Sequence, residues 1–121
     1  SGKPFVQHEQ ITTDKAEFKA IEMLMNTIYL KYGDDNLPDR FKAYLYDKIV
    51  ANFLEKNSES NITVLDCIKM AQTEVNKMSF EEAKENLKMF KYFIEQGLIR
   101  LNSQKETDDF MNFVQNFKEK P

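Results

Sequence analysis

The sequence predicts an all-α domain of about five helices, carrying at most one minimal β-hairpin. Three observations lead there. Apolar residues recur at three- and four-residue spacing in five separate stretches. Serines followed three residues later by glutamate open the fourth and fifth stretches, and glycines close the first and the fourth. Only two short segments, Ile62-Thr63-Val64 and Leu98-Ile99-Arg100-Leu101, read as extended. The chain has 121 residues, 41% of them hydrophobic, with ten Phe and five Tyr. That supports one hydrophobic core and argues against disorder.

Residues 1–12 carry Pro4 and no sustained period, and read as a loose arm before a single helical domain over 13–121. Ser1-Gly2, with no Met before Met23, reads as the remnant of tag cleavage, so a domain taken from a longer protein is expected. Phe18, Ile21, Met25, Ile28 and Tyr32 then mark one helical face over 14–32, with Asp14 and Glu17 as an N-cap pair and Gly33 as the stop. Asp34-Asp35-Asn36 suits a turn, and Pro38 the first turn of a second helix. That helix has a broad apolar face of Phe41, Tyr44, Leu45, Ile49 and Phe53, flanked by Val50 and Leu54, and breaks at Asn57-Ser58-Glu59-Ser60-Asn61.

Ile62-Thr63-Val64 is a β-compatible stretch, and Leu65, Ile68, Ala71 and Val75 give a third helix ending near Met78. Ser79-Phe80-Glu81-Glu82 is the clearest local signal, a capping box. It opens a fourth helix running through Ala83, Leu87, Phe90 and Ile94 to Gly97. Leu98-Ile99-Arg100-Leu101 is a brief extended segment. Ser103 with Glu106 then opens a last helix marked by Phe110, Phe113, Val114 and Phe117.

Helix, short β segment, helix, capped turn, helix and a Gly-Leu-Ile strand, in that order over 38–101, resembles a winged helix-turn-helix. The resemblance is carried by Ser79-Phe80-Glu81-Glu82-Ala83, Leu87, Phe90 and Phe93-Ile94-Glu95-Gln96-Gly97-Leu98-Ile99. It implies that Ala83 allows close helix approach. It also implies that Leu98 and Ile99 begin a strand closing the core against Ile62-Thr63-Val64. Residues 102–117 read as turn and helix, so the wing is minimal or absent, and the first and last helices are additions. The chain is similar to docking winged helices that close single-strand DNA-binding subunits, such as the middle subunit of replication protein A and the Stn-type subunit of the telomere-capping complex. That similarity implies recruitment of a protein partner in a nucleic-acid maintenance complex, nuclear in a eukaryote and cytoplasmic otherwise.

Direct duplex reading is less favoured. The N-terminal half of the fourth helix would face the bases in such a fold, and it carries Glu81, Glu82 and Glu85. Acids and bases balance between Ile62 and Asn102. Lys84, Lys88 and Lys91 nevertheless share one face, with Arg100 beyond, and form the candidate nucleic-acid contacts. Their solvated alternative is pairing with Glu81, Glu85 and Glu95 at helical spacing. A DNA-binding regulator and a helical-bundle adaptor unrelated to nucleic acid are therefore the rival readings.

No catalytic, cofactor or metal constellation assembles from the sequence. His8 is the only histidine and falls in the arm. Cys67, the only cysteine, sits among apolar neighbours on the third helix, as a buried thiol would. The glycines after position 2 stand at helix ends, leaving no phosphate-cradling loop. One cysteine fits a reducing, intracellular compartment, and no apolar run suits a membrane span. The expected protein is non-catalytic, without cofactor or small-molecule substrate. Tyr46, Val50, Met89, Tyr92 and Phe93 are apolar residues in excess of one buried face per helix, and so are the candidate partner-binding residues.

Overall fold

A computed structural model describes the backbone of residues 2–33 and 37–119, and the side chains of 15–33 and 37–119. Five helices follow in order: α1 (Gly2–Tyr32), α2 (Asp39–Lys56), α3 (Val64–Lys77), α4 (Phe80–Glu95) and α5 (Gln104–Gln115). No strand forms among the described residues. The all-α expectation of about five helices therefore holds.

Helix α1 begins at Gly2, so the stretch expected to be an arm is helical in its backbone, and Asp14 lies inside the helix instead of capping it. Pro4 falls in the first turn, where its missing N–H removes no intrahelical bond. The expected Asp34-Asp35-Asn36 turn and the His8 side chain lie outside the described residues. Pro38 is the N-cap of α2 rather than its first helical residue, with φ −59° and ψ 141°. Its carbonyl accepts from the Phe41 and Lys42 amides at 3.0 and 3.3 Å.

Both β-compatible segments are used otherwise. Thr63 caps α3: its Oγ1 accepts from the Asp66 amide at 3.1 Å, while Asp66 Oδ2 accepts from the Thr63 amide at 3.4 Å. Val64 is the first residue of that helix. At the far end of α4, Gly97 adopts φ +74°, and its amide donates to the Ile94 carbonyl at 3.0 Å. The Leu98 and Ile99 amides both turn back to the Phe93 carbonyl, at 2.9 and 3.2 Å. That is the Schellman closure of a helix. Among the described residues no backbone bond links 62–64 with 98–101. The strand pairing expected from the winged-helix resemblance does not form among the described residues.

The serine caps are in place. Ser79 Oγ accepts from the Glu82 amide, and Ser103 Oγ from the Glu106 amide, both at 3.1 Å. The reciprocal half differs from the expectation: Ser79 Oγ also donates to Glu82 Oε1 at 3.3 Å, and Glu106 Oε2 accepts from the Asn102 amide at 3.2 Å.

One core joins all five helices. Helix α1 packs most extensively on α3, which also packs on α2, and α4 packs on α5. An aromatic cluster links the two groups. Phe41 of α2 is fully buried and meets Tyr32 of α1 and Phe90 of α4 edge-on, each at 5.2 Å between ring centroids. Phe110 of α5 lies 5.8 Å from Phe41 and 5.3 Å from Phe90. Edge-to-face pairs each add about 0.5–1.5 kcal/mol beyond the area they bury. Since Phe41 touches rings from three other helices, it ties the α1–α3 layer to the α4–α5 pair.

Candidate docking surface

The charged and apolar candidates on α4 occupy different sides of the helix. Lys84, Lys88 and Lys91 lie along one stripe at helical spacing. Lys88 is exposed, while Lys84 and Lys91 are half-buried. The Lys84 ammonium sits 6.0 Å from the Phe80 ring centroid, and Arg100 is exposed in the segment after the helix. The expected ion pairs with Glu81, Glu85 and Glu95 do not close. Among the described residues, ion pairs join Lys42 to Asp39 and Lys105 to Asp109, with nothing on α4. Extended lysines in water gain little from such pairs, since ordering both side chains offsets the weak attraction.

Met89, Tyr92 and Phe93 stand three and four residues apart on the neighbouring side. Met89 is 44% and Tyr92 52% exposed, and Phe93 is half-buried. The Phe93 ring lies 5.9 Å from Tyr44 of α2 in an edge-on contact and 6.1 Å from Tyr92. The Gly97 closure then brings Leu98, 71% exposed, back over the Phe93 carbonyl. On the other flank, Lys48 lies 5.9 Å from the Tyr44 ring centroid and donates to Asn86 Oδ1 at 3.0 Å. Met89, Tyr92 and Phe93 thus share one side of α4, joined to α2 through Tyr44, with Leu98 exposed in the turn after the helix.

Two of the five partner-binding candidates do not belong to this surface. Val50 is 3% exposed and part of the core, so it has no surface to offer. Tyr46 is half-buried and packed against that core. The Glu17 carboxylate of α1 is close enough to help raise its phenol pKa, after the larger effect of burial and alongside Asp47. The breadth of α2's apolar face reflects packing against more than one helix, α3 above all and α1 beside it. Sequence reasoning also missed two members. The pattern places Leu98 in a strand that closes the core and Tyr44 on the broad apolar face of α2, whereas Leu98 is exposed and Tyr44 is half-buried. The signal for Leu98 was present in Gly97, which ends a helix as readily as it starts a strand.

Cys67 is fully buried. No group of three or more His, Cys, Asp or Glu residues is placed to hold a metal ion among the described residues. No helix there is long and apolar enough to cross a membrane. The methionines do not form one groove: Met78 is buried, Met25 and Met111 pack partly against the core, and Met23, Met70 and Met89 are exposed. No family model, no curated protein and no solved structure matches the chain.

Proposed function

We propose that this five-helix domain is a non-catalytic docking module that holds a protein partner on the patch formed by Met89, Tyr92, Phe93 and Leu98. One observation carries the reading: Met89 and Tyr92, both more than two-fifths exposed, share a side of α4 with the half-buried Phe93, whose ring meets Tyr44 of α2, and Leu98 is exposed in the turn that follows. Exposed Met and Tyr beside a partly buried ring offer large apolar area with adaptable shape, as protein-binding surfaces do. The wider setting, a nucleic-acid maintenance complex, rests on the helix order and the capped α4 alone. A photo-crosslinking residue at position 92, compared with one at the exposed Thr73 of α3, tests the reading in native extract. A discrete protein adduct from position 92, lost in Met89→Asp, is the expected result. Equal adducts from both positions, or none from 92, would count against it.

A second reading has its own observation. Lys84, Lys88 and Lys91 have no carboxylate within ion-pair distance among the described residues and could meet phosphates. Glu81, Glu82 and Glu85 on the preceding turns oppose this. A salt titration against duplex and single-stranded oligonucleotides, beside a Lys84/Lys88/Lys91 triple-Ala variant, separates the two. Steep salt dependence that vanishes in the variant favours phosphate binding.

A further inference from the structure

At the other end of α4, about 18 Å along the helix from Tyr92, the ends of α1 and α5 leave an open cavity of about 350 Å³. Its floor is aromatic. Phe80 and Phe117 stack with centroids 4.9 Å apart and planes 14° from parallel, and Phe113 and Tyr32 each lie 5.7 Å from Phe117. Leu30, 77% exposed, stands at the wall. Two lysines and one carboxylate are the charged residues among the described lining. Lys31 and Lys118 are among its lining residues, Lys31 Nζ donates to the Asn76 carbonyl beside the cavity at 3.1 Å, and Lys84 lies next to it over the Phe80 ring. Glu119 is the one carboxylate among the described lining residues.

We infer that this cavity receives a large apolar side chain from an acidic protein segment, with the segment's carboxylates lying against Lys31, Lys84 and Lys118. The space suits one or two such side chains, and buried anchors in concave apolar pockets dominate protein recognition. The excess of lysine over glutamate at the rim selects an acidic flank over a basic one. Single-stranded nucleic acid would also meet lysines and aromatic rings, but it binds by stacking bases on free ring faces. Here one face of Phe80 is taken by Phe117 and Lys84 sits over the same ring. This site is separate from the Met89–Leu98 patch, so either can fail without the other.

The test is an NMR titration of the isotope-labelled full chain. Four probes are used: an acidic peptide with a central Phe-Leu pair, the same peptide with Ser-Ser at the centre, a lysine-flanked Phe-Leu counterpart, and oligo-dT. The first peptide alone should shift the Leu30 methyl and the Phe113 and Phe117 ring signals. Leu30→Asp, and separately Lys31→Glu with Lys118→Glu, should each weaken that binding by about tenfold or more. Tyr92→Asp should leave it unchanged. Leu30 and Lys118 are exposed, and an otherwise unchanged spectrum confirms that the variants fold. Equal response to the Ser-Ser or lysine-flanked peptide, indifference to Leu30→Asp, tighter binding of oligo-dT, or no shift at millimolar peptide would overturn the inference.

Discussion

Tyr32 Oη donates to Met78 Sδ across 3.6 Å in the interior, joining the end of α1 to the turn between α3 and α4. The same sulfur accepts from Asn86 Nδ2 at 3.5 Å. A thioether is a weak acceptor, so it satisfies a buried phenol without stabilising a phenolate. Burial raises the Tyr32 pKa well above its ordinary 10.0, and the Asn86 amide only partly offsets the rise. Below pH 10 both folded and unfolded chains keep the phenol proton. Above it the unfolded chain releases the proton and the folded chain does not, so stability falls as pH rises.

Tyr32→Phe should therefore change stability at pH 7 by no more than about 1 kcal/mol, yet flatten its decline above pH 10. Urea melts between pH 7 and 11 on both proteins measure this. A residual slope is expected, because burial also raises Tyr44 and Tyr46. Parallel declines in the two proteins would show that Tyr32 is solvated in the folded state.

Phe41→Ala should be the most damaging single truncation, at about 3–5 kcal/mol. It removes ring contacts to α1, α4 and α5 together, whereas Phe110→Ala removes two. Chemical denaturation of both variants gives the comparison. Equal losses would mean the two helix layers are not joined through this ring.

Thr63 shows where reading the sequence stops. Ile62-Thr63-Val64 is β-branched throughout, which suits a strand, while Thr63 with Asp66 three residues on suits a cap. Local propensity cannot rank the two, and the absence of a strand partner decides for the cap. The starts of α4 and α5 were legible because their serines are followed by no competing β signal. Val50 failed for a different reason: the pattern shows that a face is apolar, but not which helix covers it. The early start of α1 was hidden because residues 1–12 lack a periodic stripe. Thr63→Val keeps β propensity and removes the cap, so it should cost about 1 kcal/mol. A stabilising effect would restore the strand reading.

Gly97→Ala isolates backbone strain. A methyl group there meets nothing within 4 Å, so its whole cost is that of holding φ +74° with a Cβ, about 1 kcal/mol. Urea denaturation should show that loss with an unchanged slope. In hydrogen exchange the Leu98 and Ile99 amides of the closing turn should stay protected. Loss of that protection would mean the closure itself opens, carrying Leu98 away from Phe93.

Tyr92 separates a docking residue from a structural one. It is 52% exposed, and its ring contact is the 6.1 Å approach to Phe93, its near neighbour in the same helix. Removing it takes little from the core, so Tyr92→Ser should change stability by no more than about 0.5 kcal/mol. Phe93 differs, because it also meets Tyr44 of α2 at 5.9 Å. Phe93→Ser should cost clearly more, through lost packing between two helices. Denaturation midpoints for the pair therefore divide the patch into a free half and an anchored half. If Tyr92→Ser costs as much as Phe93→Ser, the tyrosine is holding the fold together, and the patch loses its largest exposed aromatic as a partner contact.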